Sequence, residues 1–79
     1  MRVTIINLKG LKINIEINES GTIGELRQKY AKRINEDAER LQLKLDGATL
    51  QDYEKLSDLD IDEDVLIQSN DKFLGGKHI

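Results

Sequence analysis

The chain has 79 residues, a net charge of −3 and no cysteine. This length predicts one small domain with a modest core, and the lack of cysteine excludes a disulfide framework, a thiolate metal site and a cysteine nucleophile. The mildly acidic, mixed charge argues against a nucleic-acid binder with a basic face. No apolar run is long enough to span a membrane, and the first residues read as a strand rather than an export signal.

The first two segments predict a β-hairpin. β-Branched residues alternate over residues 2–7 and again over 11–17, and a period of two places each set on one face of a strand. The connection between them is Leu8-Lys9-Gly10, in which the glycine can adopt a positive φ. We therefore expect a bulged or three-residue turn.

The next segment predicts a helix over about residues 23–34. Thr22 and Glu25 have the spacing of a capping box, and Asn35 is a suitable left-handed stop. Apolar residues follow at helical spacing, with charged residues on the opposite face. These positions are Ile23, Leu26, Tyr30 and Ile34.

The second half predicts two or three shorter strands. Alternating leucines at 41, 43 and 45 end at the turn signal Asp46-Gly47, and a short strand is expected around 49–50. Residues 56–61 read as a tight helical turn pinned by Leu56 and Ile61, and residues 65–68 form the last strand. We expect this strand to fray at Ser69 and the polar chain from Asn70 onward to be mobile.

A pair of glycines, Gly75-Gly76, follows the apolar pair Phe73-Leu74. Without a Cβ, such a strip of backbone can enter a narrow enzyme cleft that excludes a bulkier tail. Gly-Gly pairs also mark turns and linkers, so the pair gains meaning only from the fold that precedes it.

The element order is β-β-α-β-β, which predicts an α+β roll with one helix on one face of a mixed sheet and the first and last strands side by side. At this point the sequence resembles the ubiquitin family, without a gap over residues 1–76. The shared positions are Leu8, Gly10, Thr22-Ile23, Leu43, Gly47, Leu50, Asp52, Leu56-Ser57-Asp58, Ile61 and Gly75-Gly76. The resemblance implies a β-grasp fold, with a ubiquitin-like domain over 1–72 and a flexible tail over 73–79.

The resemblance also implies a function, a protein modifier made as a precursor. A protease would cut between Gly76 and Lys77, and the exposed carboxylate of Gly76 would be joined to target amines by activating and conjugating enzymes. Lys72, Phe73 and Leu74 would guide the tail into these and into deconjugating enzymes. The chain itself is then not an enzyme, needs no cofactor or metal, and is expected to be a monomer in the cytoplasm or nucleus, bound to neither nucleic acid nor membrane.

The departures from the family bear on its partners. The family presents an apolar patch to its receptors, whereas this chain keeps Leu8 but has Lys44, Gln68 and Asn70 at the other patch positions. A receptor pocket shaped for aliphatic groups would have to desolvate an unpaired lysine. A relocated surface is therefore expected around Ile6, Leu8 and Leu66, beside Lys44 and Gln68.

Chain formation is restricted by the same comparison. Six of the family's chain-forming lysines are replaced, by Ile6, Leu11, Arg27, Arg33, Ala48 and Glu63. Only Lys29 survives, which makes it the candidate chain acceptor. Other lysines are present at 9, 12, 32, 44 and 55.

Two rival functions stay open. The first is a non-conjugated ubiquitin-like interaction domain of a larger protein, including splicing- or proteasome-related ones. The second is a sulfur carrier, which shares the fold and the terminal glycines. The full reading frame would distinguish the interaction domain from the modifier precursor, and a carboxyl-terminal thiocarboxylate would indicate the sulfur carrier.

Other conspicuous residues have plainer interpretations. The acidic run from Asp58 to Asp64 begins like a calcium loop but has Glu63 where such a loop needs glycine, so we interpret it as a solvated turn. Arg27 and Asp52 stand where the family has a structural ion pair. The single histidine, His78, has no serine or cysteine partner near it, and no catalytic grouping occurs elsewhere.

Overall fold

A computed structural model describes residues 1–62 and 64–71. They form one five-stranded mixed sheet in the order β2-β1-β5-β3-β4, with a single α-helix against it. The elements are β1 (Arg2–Ile6), β2 (Lys12–Glu16), α1 (Ile23–Ile34), β3 (Leu41–Leu45), β4 (Ala48–Thr49) and β5 (Leu66–Asp71). β1 and β5 pair in parallel and the other neighbours are antiparallel. The predicted adjacency of the first and last strands is confirmed.

The β1–β2 hairpin has the predicted three-residue connection. Asn7 donates its N–H to the carbonyl of Leu11 at 3.0 Å, and Gly10 donates to the carbonyl of Asn7 at 3.0 Å. Gly10 has a φ of +86°, which an L side chain rarely adopts. The glycine therefore sets the turn that returns the chain along β1.

Helix α1 begins and ends where its capping residues predict. The Thr22 side chain accepts the N–H of Glu25 at 3.3 Å. Asn35 is left-handed, with a φ of 59°, and its N–H is directed at the carbonyls of Ala31 and Lys32. Both helix ends thus satisfy backbone groups that would otherwise lack intrahelical partners.

The core lies between α1 and the inner face of the sheet. Alternate residues of each long strand point inward and meet the apolar stripe of the helix. The least exposed members are Val3, Ile5, Ile23, Leu26, Tyr30, Leu43, Leu56 and Ile67. The predicted inward orientation of Ile67 is confirmed, and with it the gap-free register of the last strand.

The prediction that β5 ends early is wrong. β5 continues to Asp71, and Asn70 and Asp71 pair with Gln42 and Leu41 of β3. Ser69 is only 3% exposed, and its hydroxyl lies 2.9 Å from the Tyr30 hydroxyl. A polar residue is tolerated at this inward position because the helix supplies a hydrogen-bonding partner.

Two tight turns connect the second half of the sheet. Asp46 and Gly47, with φ of 52° and 85°, join β3 to β4, which lies at 48–49 rather than the expected 49–50. A short 3₁₀ turn spans Leu56–Asp58, with Leu56 and Ile61 buried as predicted. Within the described part of the chain, no helix is long and apolar enough to cross a membrane.

Candidate functional site

The outer face of the sheet, opposite α1, carries the surface predicted from the sequence. Strand pairing aligns one residue from each strand in a row across this face. In order across the sheet, the row is Lys12, Ile6, Gln68, Lys44 and Thr49. Its central members alternate along their strands with the buried residues Ile5, Ile67 and Leu43, so the row faces away from the core.

A shallow depression of about 380 Å³ opens along this row. Four of the five predicted surface residues, Ile6, Leu8, Lys44 and Gln68, line it. The fifth, Leu66, pairs with Thr4 and so lies one residue pair further along the outer face. Asn7, Ser69 and Asn70 complete the lining. The structure thus brings together one half-buried isoleucine, one exposed leucine, a lysine and several polar groups rather than a continuous apolar patch.

The side chain of Asn7 closes the turn that leaves Leu8 exposed to solvent. The Asn7 side-chain oxygen accepts the N–H of Lys9 at 2.9 Å and of Leu11 at 3.0 Å, which closes an Asx turn around Leu8. Leu8 is 70% exposed at the tip of this turn. The role of Asn7 was not predicted, although an asparagine directly before a turn is a signal for this geometry.

Lys44 is half-buried near the carboxyl end of β3. Across residues 1–62 and 64–71, no hydrogen bond or ion pair of its ammonium is formed, whereas its neighbour Gln42 donates to the Thr49 hydroxyl at 3.2 Å. A partner that covered this position would have to offer an acceptor to the lysine or leave a desolvated charge. The poor fit of an aliphatic receptor pocket stays a prediction.

Lys29 lies away from the depression, beside the edge strand β2. Its ammonium donates to the carbonyl of Glu16 at 3.2 Å, and its side chain is exposed. One turn further along α1, Arg33 donates to the carbonyl of Asn14 at 3.3 Å. The candidate acceptor amine is therefore at the surface but engaged with the backbone of β2.

The Arg27–Asp52 pair is structural, as predicted. Arg27 holds Asp52 through two contacts, of 3.0 Å and 2.7 Å, and also donates to the carbonyl of Ala38. The Arg27 side chain is 12% exposed and that of Asp52 59%. Beside them, Gly24 donates its N–H to the Asp52 carbonyl at 3.0 Å. Together these contacts join the start of α1 to the loop at residues 51–54.

The predicted tail site, Lys72 to Lys77, lies outside the described residues, as does Glu63 of the acidic turn. The last described residue, Asp71, belongs to β5, and Gly75 and Gly76 follow it by four and five residues in the sequence. In the described part of the acidic turn, Asp62 accepts the N–H of Asp64 at 2.9 Å. No cluster suited to a metal ion occurs among residues 1–62 and 64–71.

Comparison with known proteins agrees with this geometry. No curated protein matches the chain. The protein-family model described as the Ubiquitin family matches residues 3–71, which is well over half of the chain and includes every strand but the first residue of β1. The five-stranded mixed sheet with its single main helix is the β-grasp arrangement. The chain belongs to the ubiquitin family.

Proposed function

We propose that the chain is a ubiquitin-like protein modifier precursor, processed after Gly76 and conjugated through that residue to amines of target proteins. The observation that carries the proposal is the position of Gly75-Gly76. The pair follows Asp71, the last described residue of β5, by four and five residues, in the gap-free register that the buried Ile67 supports. Two residues without side chains, just beyond a compact domain, suit entry into a narrow enzyme cleft.

The chemistry needs no reactive side chain from this protein. The Gly76 carboxylate would attack the α-phosphate of ATP, forming an acyl adenylate and releasing pyrophosphate. An enzyme thiol would then displace AMP to give a thioester, and a target amine would displace the thiol to give an amide. The activating and conjugating enzymes supply the thiols and the target supplies the amine, in agreement with a chain that has no cysteine.

The remaining predicted residues take supporting roles in this proposal. The domain over 1–72 is recognised as a folded body, while Lys72, Phe73 and Leu74 guide the tail. Lys29 serves as the chain acceptor, because its ammonium is exposed and its one described contact, to the Glu16 carbonyl, is a long one that a conjugating enzyme could displace. The protein acts in the cytoplasm or nucleus as a monomer and is not itself an enzyme.

The second candidate function is a non-conjugated interaction domain of a larger protein. The depression lined by Ile6, Leu8, Lys44 and Gln68 favours it, because described residues of the folded domain line this surface. An exposed leucine beside a half-buried lysine suits a partner with one apolar side chain and one acidic group. The two functions differ in whether the Gly76–Lys77 bond is cut.

The first test is a processing assay. A reporter protein fused after Ile79 is incubated in extract from the native organism, and the products are read by intact mass. We expect cleavage after Gly76. The Gly76→Val variant should stay intact, because the added side chain blocks a cleft fitted to glycine, whereas the matched tail variant His78→Ala should still be cut.

The outcomes separate the candidates. An intact wild-type fusion, in an extract that processes a ubiquitin fusion, would rule out the precursor and leave the interaction domain. Cleavage followed by ATP-dependent transfer to an enzyme thiol would support conjugation. Cleavage followed by a thiocarboxylate at Gly76 would instead assign a sulfur carrier.

A further inference from the structure

One side of α1 borders an open groove with the segment that follows the helix. Asn35 is left-handed, so the chain turns back after α1, and a short 3₁₀ turn at Ala38–Arg40 lies beside the helix. Arg27 donates to the Ala38 carbonyl and holds this turn in place. The groove between the helix and the turn has a volume of about 710 Å³, and we call it the α1 groove.

The α1 groove separates its charges by sign. Lys29 and Lys32 stand on the side of the helix. Glu36, Asp37 and Glu39 stand on the opposite side, and all five residues are exposed. Two buried alanines, one from each side, also line the groove. The surface thus carries a row of cations and a row of carboxylates with small side chains between them.

The two sides of the groove do not neutralise each other. Within residues 1–62 and 64–71, no ion pair joins either lysine to these acids. Asp37 accepts the backbone N–H of Glu39 at 3.1 Å, whereas the side chains of Lys32 and Glu36 form no hydrogen bond in that part of the chain. Glu36 also lies just past the C-terminus of α1, where the helix dipole favours a cation. Charges of both signs are therefore available to a partner.

We propose that the α1 groove is a contact between two copies of this chain, related by a two-fold axis. Such a contact uses the same surface of both copies, so the surface must be complementary to itself. A surface that carries opposite charges on separate sides meets this condition after a half turn. Lys32 of each copy then faces Glu36 and Glu39 of the other, and the cross-contacts join opposite charges.

Charge selects a second copy over other occupants. A purely basic segment would meet the two lysines of the helix, and a purely acidic segment or a nucleic acid would meet the three carboxylates. Like charges placed together suppress the wrong partner. A second copy offers both signs, each opposite its counter-charge.

The contact is weak between free chains and favoured between tethered ones. Exposed ion pairs contribute little individually, and the described residues that line the groove include no large apolar side chain, so we expect a dissociation constant of about 1 mM or weaker. The free chain therefore stays a monomer at low concentration. Copies attached to neighbouring amines of one target reach an effective concentration of about 1 mM. Only this tethering rests on the proposed conjugation through Gly76.

The first test uses the free full chain without any enzyme, so its failure would leave the processing assay untouched. The amide signals of the chain, labelled with nitrogen-15, are followed from about 0.1 to about 3 mM, a range that spans the expected dissociation constant. At low salt we expect the signals of Lys32, Glu36 and Glu39 to shift with concentration. Added salt should reduce the shifts, because exposed charges are screened.

Charge reversal tests the pairing itself. Lys32→Glu and Glu39→Lys should each weaken self-association at least about fivefold, because each replaces attractive contacts with repulsive ones. In a mixture of labelled Lys32→Glu and unlabelled Glu39→Lys, the reversed charges face each other. The mixed pair should therefore recover the wild-type affinity within about twofold. Circular dichroism confirms that both variants keep α1.

A matched control separates the groove from net charge. Glu19→Lys makes the same charge change as Glu39→Lys at an exposed position outside the groove. Both variants make the acidic chain less negative, which reduces general repulsion between copies. We expect Glu19→Lys to associate at least as well as the wild type, and Glu39→Lys to associate more weakly.

Three results would overturn the proposal. The first is an absence of concentration-dependent shifts at the groove in the wild-type chain, a measurement that requires no variant to fold. The second is a set of shifts centred on Ile6, Lys44 and Gln68, which would place the contact on the outer face of the sheet. The third is equal association of Glu39→Lys and Glu19→Lys, or a mixed pair no stronger than either reversed variant alone, which would reduce the effect to net charge.

Discussion

The buried hydroxyl pair of Tyr30 and Ser69 makes the sharpest prediction about stability. The two oxygens lie 2.9 Å apart, and the residues are 1% and 3% exposed. Removal of either hydroxyl leaves the other buried without that partner, which costs about 1–3 kcal/mol of unfolding free energy. Removal of both leaves neither hydroxyl to be desolvated, so the double variant loses much less than the sum of the singles.

The measurement is a double-mutant cycle of Tyr30→Phe and Ser69→Ala, by urea unfolding and by thermal unfolding, both followed with far-ultraviolet circular dichroism. For a domain of this size a loss of 1 kcal/mol lowers Tm by about 4–8 °C. Each single variant should therefore melt roughly 5–20 °C below the parent. The double variant should lie no lower than the less stable single variant.

The controls remove hydroxyls of exposed residues rather than of buried ones. Tyr53 is 79% exposed, so Tyr53→Phe should change the unfolding free energy by less than about 0.5 kcal/mol. Ser57 is also exposed and gives the matched Ser57→Ala control. Additive losses in the double variant, or single variants no less stable than the controls, would show that the hydroxyl pair does not hold β5 to α1.

Four further variants test three other features of the fold, each by urea unfolding. Arg27→Ala should lower the unfolding free energy by about 2–3 kcal/mol, because it removes the paired contacts to Asp52 and the donor to the Ala38 carbonyl. Asp52→Asn changes the exposed end of the pair and should lower the unfolding free energy by about 1 kcal/mol. Equal losses in the two variants would contradict this prediction. Gly47→Ala should lower the unfolding free energy by about 1 kcal/mol because Gly47 has a φ of +85°, whereas an added Cβ would meet nothing within 4 Å. No loss of stability would mean that the turn adapts to the alanine. Asn7→Ala should lose about 1 kcal/mol and speed amide exchange in the β1–β2 turn, and unchanged exchange would show that the Asx turn is dispensable.

Local signals predicted the fold well because most elements carry their own boundaries. Thr22 and Asn35 each bind backbone groups of the helix that they delimit, so α1 could be placed to the residue. Gly10 and Gly47 both have the positive φ that their turn positions require. The end of β5 was predicted wrongly because Ser69 is polar, and its partner Tyr30 is distant in sequence but adjacent in the fold.

The candidate site was predictable in part for a similar reason. Strand alternation and the family register placed Ile6, Lys44 and Gln68 on one face, and the structure brings them to one depression with Leu8. Strand alternation could not show that Leu66 lies one residue pair away from the depression, since its position depends on the register between β1 and β5. The contacts of Lys29 and Arg33 with β2 have no sequence signal, because they depend on how closely the helix packs beside the edge strand.

The place of β5 in the sheet has a consequence for synthesis of the protein. β5 is the last described strand to leave the ribosome, yet it is the central one, between β1 and β3. Before residues 66–71 emerge, the hairpin of β1 and β2 and the hairpin of β3 and β4 each have an open edge, and only α1 packs against both. Folding must then wait for a late, non-local pairing, which is slow. A chain that stops short of β5 leaves two hairpins with no strand between them, the kind of product that chaperones and proteases clear.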